Sequence, residues 1–237
     1  MNYGIIAAGE GSRLAGEGVG IPKPLVKLNG EPMIERLLRI FLENDAERVC
    51  VIVNEQMTEV AQRLKEIQKN FPVKLDLVIK STPSSMHSFY ELSKLLRGKG
   101  RFIVTTVDTI FKEKSFADYA ESFSQSDETT DGMMAMTSYI DDEKPLYIST
   151  DDHLNITGFH DKPFESMKYI SGGIYGLSDK AFDILDKCIN SGVSRMRNYQ
   201  RALVEGGLKL KGFPFDKIID VDHASDIATA EKFISEI

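Results

Sequence analysis

The residues best placed to do chemistry stand near the start of the chain. The run YGIIAAGEGSRL puts Gly9 and Gly11 just after a short apolar stretch that ends at Ala8, with Arg13 two residues further on. A second cation, Lys23, follows in IPKPLVKLNG after more glycines. Glycines leave backbone N–H groups open to a ligand, and two cations beside such a loop suit a row of phosphates. The pattern is not a Rossmann dinucleotide fingerprint. Position 14 is Leu rather than a third glycine, and no acid closes a strand about 20 residues later. It is not a Walker loop either, since GK[ST] is missing. The same spacing also serves a tight strand-to-helix turn with solvated charges.

Acids at two distant places could complete such a site. Asp108 ends the apolar run RFIVTTV, and Asp220, Asp222 and Asp226 lie in IDVDHASD just before the last helical segment. An aspartate at a strand end also caps turns, and the position of Asp222 permits it to be the N-cap of that helix. The loop STPSSMHS offers Thr82, Ser85 and Ser88 at the start of another helix, where serines also serve as caps. Histidines are dispersed. His160 and His223 each neighbour an acid but lack metal-ligand spacing, so a structural or solvent role is expected. Met133, Met134 and Met136 read as core filling.

The elements that must position these residues are readable from periodicity. YGIIAA is a continuous apolar run, the mark of a strand buried on both faces. Met33, Ile34, Leu37, Leu38 and Phe41 share one helical face, followed by the strand VCVIV. A charged amphipathic helix at about 57–70, the strand KLDLVI, a helix from about His87 to Leu96 and the strand RFIVTTV continue the alternation. Four strands separated by helices imply a parallel sheet with right-handed crossovers. After a helix near 114–124 the runs MMAMTSY, LYIST, LNITGFH and Tyr169–Leu177 predict an antiparallel addition covering one end of the sheet, with a hairpin turn at Asp151 and Asp152. Helices at about 179–190 and 198–206, two short strands and a final helix complete the chain. No repeat or linker divides it, so one mixed α/β domain over 1–237 is expected.

Composition supports an ordinary folded protein: 42% of the 237 residues are apolar and 27% charged, which excludes disordered and fibrous classes. A net charge of −7 opposes nonspecific nucleic-acid binding, although a local basic patch can still hold small phosphates. Two cysteines, Cys50 and Cys188, suggest no disulfide framework. No targeting segment or apolar run long enough to span a bilayer is seen, so a cytoplasmic protein without membrane association is expected.

AAGEGSRL followed by PKPLVKLNGEPMIERLL resembles the signature of the nucleotidyltransferases that make sugar nucleotides and related activated phosphates, LAAGxGxRL with PKxLxxxxGxPM. The similarity is nearly unbroken over residues 4–38. It implies a three-layer αβα, Rossmann-like nucleotide-diphospho-sugar transferase fold with a mixed, mainly parallel sheet and a small antiparallel addition, its nucleotide-binding part at about 1–110 and its acceptor-binding part at about 130–215. It also implies that Ala8, Gly9, Gly11 and Arg13 hold nucleotide phosphates, that Lys23 stabilises charge at the reacting α-phosphate, and that Thr82, Ser85 and Ser88 lie where the base is read. Asp108 and Asp222 would bind Mg²⁺, with Asp220 as a two-residue register alternative. DKP at 161–163 resembles the family's EKP, which implies acceptor contacts from Asp161 and Lys162. SGGIYGL resembles the family's acceptor-side strand, where Gly172 and Gly173 would let backbone approach the sugar, though a β-bulge also explains paired glycines.

The resemblance implies a nucleoside triphosphate and a phosphorylated small-molecule acceptor as substrates, giving a nucleotide sugar and pyrophosphate. A cytidylyltransferase acting on phosphocholine or a similar phosphorylated alcohol is the nearest alternative. No C-terminal repeat domain is seen, so a bifunctional acyltransferase is not expected. Asp220-Val221-Asp222 spells the DxD of nucleotide-sugar glycosyltransferases, but after the last strand it stands in the wrong place. A nucleotide sensor without turnover is a third possibility.

Overall fold

In the computed structural model, which describes residues 1–141 and 143–236, the first apolar run forms strand β1 (Asn2–Ala7), buried along its length. The glycine loop leads into a short helix α1 (Ser12–Gly16), and Lys23–Leu25 form a single 3₁₀ turn. A two-residue hairpin, β2 (Lys27–Leu28) and β3 (Glu31–Pro32), then launches α2 (Met33–Glu43). The apolar face of α2 is the expected one: Met33, Ile34, Leu37, Leu38 and Phe41 are all buried, and Phe41 stacks on Tyr3 at 4.3 Å between ring centroids. β4 (Arg48–Val53), α3 (Thr58–Gln68), β5 (Lys74–Ile79), α4 (Ser85–Leu96) and β6 (Phe102–Thr106) follow in strict alternation. These strands lie parallel in the order β6-β1-β4-β5, so Ala7, Val53, Ile79 and Thr106 end at one edge.

The second half extends the same sheet. After β7 (Thr109–Ile110) and α5 (Glu113–Gln125) come β8 (Gly132–Thr137), β9 (Tyr147–Thr150), β10 (Ile156–His160) and β11 (Tyr169–Leu177). β11 is antiparallel to β6, β8 and β9, and β9 and β10 form a hairpin. Its turn is the expected one: the Asp151 carboxylate accepts from the His153 and Asn155 N–H groups at 2.9 and 2.8 Å. α6 (Lys180–Asn190) and α7 (Met196–Glu205) precede β12 (Leu210–Phe215), which joins β8 in parallel, and β13 (Ile219–Asp220) precedes α8 (Ala224–Ser235). The antiparallel strands are thus the expected addition at one end of the sheet, and the whole is one nine-stranded mixed sheet.

Alternate strand residues feed two separate cores. Tyr3, Ile5, Val49, Val51 and Ile103 pack with α2, α3, α5 and α8 on one face. Ile6, Cys50, Ile52 and Val104 pack with α4, α6 and α7 on the other. The result is the expected three-layer αβα fold, and its all-apolar parallel strands follow from having helices on both sides. The methionines at 133, 134 and 136 are core residues, at most 3% exposed. Among the described residues no helix is long and apolar enough to cross a membrane.

Candidate active site

At the carboxyl edge of the parallel strands lies a cleft of about 640 Å³. Its walls are the loops that leave four neighbouring strands: the glycine loop after β1, Asn54 after β4, residues 81–85 after β5 and Thr106–Asp108 after β6. Open parallel sheets bind ligands at this edge where the crossovers from neighbouring strands diverge to opposite faces and leave a crevice. Gly11 turns the glycine loop at a φ of 63°, and a Cβ there would stand 3.1 Å from the Cβ of Lys23. Glycine thus meets both a left-handed backbone and the close approach of the lysine. Pro22 and Pro24 bracket Lys23, whose residue is only 8% exposed.

The Lys23 ammonium holds the site together. Its Nζ lies 2.5 Å from Asp108 Oδ2 and 2.8 Å from Asp222 Oδ1, so one cation bridges two acids that are 114 residues apart in the chain, by their numbers. The other oxygen of Asp222 accepts from Arg13 Nη1 at 2.8 Å. What carries Asp222 to this place is the antiparallel pairing of β13 with β7, in which Asp220 faces Thr109, extended by the Val221 N–H donating to the Asp108 carbonyl at 3.0 Å. Asp222 is not the N-cap of α8. His223 occupies that position, and the Asp226 carboxylate accepts from the Asp222 and His223 N–H groups at 2.9 and 2.7 Å. Of the two registers open in the sequence, the geometry puts Asp222 beside Asp108, while Asp220 accepts from Thr109 Oγ1 at 3.2 Å.

Charge in the cluster is settled by its pairing. Burial works against the Lys23 ammonium, but Asp108 and Asp222 outweigh it and hold the group above the ordinary lysine value. Burial also works against the Asp222 carboxylate, yet Lys23 and Arg13 prevail and hold it below the usual carboxylate range. The two carboxylates on either side of Lys23 are hard oxygen donors, and among the described residues no group of three or more metal-ligating side chains exists. A divalent ion here would draw the rest of its shell from phosphate and water, a donor set that fits Mg²⁺.

Around the cleft, Thr82 Oγ1 and Ser88 Oγ share a hydrogen bond of 2.6 Å, and Ser84 Oγ meets His87 Nδ1 at 2.9 Å. Asn54, only 7% exposed, ties three loops together. Its Oδ1 accepts from Ser81 Oγ at 2.9 Å and from the Gln56 N–H at 3.0 Å, while its Nδ2 donates to the Ala8 carbonyl at 3.4 Å. Asn54 is absent from the sequence-derived candidates, although a polar residue directly after the buried run VCVIV is the kind of signal that singled out Asp108.

A smaller cavity of about 70 Å³ adjoins the cleft, and Arg13 and Asp222 line both. Gly172 lines it too, but a Cβ at Gly172 would meet Ile218 at 2.2 Å, and one at Gly173, with φ of 72°, would meet Thr109 Oγ1 at 2.6 Å. Both glycines thus sit tight against protein at an irregularity of β11 between Ser171 and Tyr175. Asp161 and Lys162 lie apart, in a shallow hollow with Phe159, His160 and Arg201. There the Asp161 carboxylate is engaged by Arg197 at 2.8 Å and Arg201 at 2.7 Å. The structure therefore gathers the phosphate-loop, base-loop and acidic candidates in one cleft, sets Gly172 in the next cavity, and leaves Asp161 and Lys162 outside both.

A glycine loop, two cations and two aspartates thus meet at the carboxyl edge of the sheet of an α/β protein. The sequence profile of the nucleotidyl transferase family matches residues 4–236, and the chain belongs to that family. It is similar along its whole length to the bifunctional protein GlmU of Methanococcus maripaludis, at 24% identity over 247 aligned positions, and spans 55% of that protein. The chain thus covers about half the length of the curated relatives it matches. Among solved structures, one described as a glucose-1-phosphate thymidylyltransferase from Bacillus anthracis superposes with a TM-score of 0.83 at 18% identity, covering 100% of this chain and 96% of the other. The inositol-1-phosphate CTP transferase from T. maritima superposes at 0.79 with 15% identity, covering 99% and 96%. Both have the same fold.

Proposed function

We propose that this protein transfers a nucleoside monophosphate from a nucleoside triphosphate to a sugar-1-phosphate, releasing pyrophosphate. The observation that carries the reading is the Lys23 ammonium shared by Asp108 and Asp222 at the mouth of the glycine loop. An oxygen of the acceptor phosphate attacks the α-phosphorus. The new P–O bond forms as the bond from the α-phosphorus to the oxygen bridging it to the β-phosphorus breaks, and pyrophosphate leaves with that electron pair. A phosphate monoester, with a second pKa near about 6, is already mostly ionised at neutral pH, so the step needs no general base. The barrier lies in bringing anions together: unit charges about 4 Å apart repel by roughly 4 kcal/mol at an effective dielectric of about 20. Lys23 and Arg13 offset that charge at the reacting phosphate, and the backbone of Ala8, Gly9 and Gly11 cradles the tail. Asp108 and Asp222 would hold Mg²⁺, which when bound neutralises the leaving group.

The small cavity favours a second reading of the acceptor. Asp141, Glu143, Asp220 and Asp226 line it together with the Arg13–Asp222 pair, and its acidity suits the ammonium group of a phosphorylated amino alcohol. Pyrophosphate release from each common nucleoside triphosphate, paired in turn with phosphorylated sugars and amino alcohols, tests both. Release that requires both substrates and Mg²⁺ supports transfer. Consumption of a nucleotide sugar without pyrophosphate would instead make the protein a glycosyltransferase, and tight nucleotide binding without any product would make it a sensor.

A further inference from the structure

The glycine-rich arm between the phosphate loop and Lys23 has little of its own to hold it. From Gly9 to Ile21 only Leu14 is buried, and added Cβ atoms at Gly16, Gly18 and Gly20 would meet nothing within 4 Å. α1 has five residues, too few to be stable as an isolated helix. Three open glycines enlarge the disordered ensemble that ordering must overcome. Yet Arg13 must be held in place to serve both cavities.

Glu17 supplies the fastening. One carboxylate oxygen lies 2.6 Å from His223 Nδ1 and the other accepts the Ala224 N–H at 2.7 Å. The second contact places a carboxylate at the amino end of α8, where exposed N–H groups and the helix dipole favour negative charge. Arg13 and Glu17 stand one helical turn apart, linked by the Glu17 N–H donating to the Arg13 carbonyl at 3.0 Å. Fixing Glu17 to His223 and Ala224 therefore delivers Arg13 to Asp222, the residue next to His223. We infer that Glu17 is a positioning residue, a clasp that closes the glycine-rich arm against α8 so that Arg13 is set before the nucleotide arrives. This rests on the proposed nucleotide site and goes beyond it, because Glu17 itself does not line the cleft.

Without the clasp, nucleotide binding must order the arm, and apparent affinity falls by the fraction of molecules already closed. Binding of ATP, CTP, GTP, UTP and dTTP is measured by calorimetry for the wild type, Glu17→Ala and Glu17→Gln, together with turnover and trypsin cleavage after Arg13. For a closed fraction of about one tenth, Glu17→Ala weakens binding and raises the nucleotide KM about tenfold, with kcat at saturation within about twofold of wild type. Trypsin cuts the Ala variant faster, and saturating nucleotide removes the difference. Glu17→Gln recovers most of the affinity, since its amide oxygen still accepts from Ala224. A merely structural loss would lower kcat or melting temperature instead. Wild-type affinity and protease resistance in Glu17→Ala, a kcat loss at unchanged KM, or a Gln variant as weak as Ala would each overturn the clasp alone. A wild-type protein that binds none of the five nucleotides overturns the clasp and the proposed function together.

Discussion

Lys23 is the residue on which the cluster turns, because among the described residues it is the one cation paired with both Asp108 and Asp222. Lys23→Ala removes charge from the reacting phosphate and leaves two carboxylates facing each other. Turnover in a pyrophosphate-release assay is expected to fall at least about tenfold, the loss that follows from about 1.4 kcal/mol of transition-state stabilisation; near-wild-type turnover would remove Lys23 from the chemistry. Asp222 gives a pH signature. Its folded value lies below its ordinary 3.8, so its contribution to stability is present above that pH and is lost as pH falls through the lowered value. The melting-temperature gap between wild type and Asp222→Asn is therefore expected to be constant near neutrality and to close on acidification below about 4. A gap that persists in acid would mean that Lys23 and Arg13 do not hold the carboxylate down. Gly11, Arg13, Lys23 and Asp108 were legible in the sequence because local spacing exposes them: glycines after an apolar run, cations on a loop, an acid where a strand stops. Glu17 gave no such signal. An exposed acid among glycines looks like solvated surface until the start of α8 is brought against it.

Elements with a strong period were readable, and the pairing of short strands with distant partners was not. The buried runs of β1 and β4 and the apolar face of α2 carry their own pattern, as does the aspartate turn of the β9–β10 hairpin. The second of the two short strands expected before the last helix is β13, but β7 has only two residues, too few for alternation to show, and the pairing of the two spans the chain from Thr109 to Asp220. That pairing nevertheless sets the distance between the two aspartates. Its neighbour is Gly173, where a φ of 72° combines with Thr109 Oγ1 at 2.6 Å from any added Cβ. Gly173→Ala must accept a left-handed backbone at about 1–2 kcal/mol and also push β7 aside at about 1–3 kcal/mol. Gly192→Ala has nearly the same φ, 71°, but nothing within 4 Å, so it carries the backbone cost alone. With about 2–4 °C per kcal/mol for a chain of this size, Gly173→Ala is expected to lose roughly twice the melting temperature of Gly192→Ala. Equal losses would show that β7 yields freely and does not fix Asp108.

For the molecule as a whole, parallel strands with helices on both faces send their loops to one edge, and the cleft exists because four of those loops meet there. The protein's net charge of −7 gives an incoming nucleotide no general attraction, so binding depends on the local balance of charge. That balance is not positive: Arg13 and Lys23 are paired with Asp108 and Asp222, and Glu10 lines the same cleft. Cations outnumbered by acids cannot neutralise a triphosphate, and the missing positive charge must arrive with it. Nucleotide alone is therefore expected to stabilise the fold weakly and nucleotide with Mg²⁺ strongly. At about 100 times the dissociation constant the linkage is about 2.7 kcal/mol, or about 5–10 °C in melting temperature for a chain of this length. The same nucleotide with a chelator should give less than half that shift, and Mg²⁺ alone should give little, since Lys23 already stands between the carboxylates. Equal shifts with Mg²⁺ and with chelator would mean that Arg13 and Lys23 leave the aspartates and neutralise the phosphates unaided, and Asp108 and Asp222 would then be their anchors in the empty cleft rather than holders of a metal.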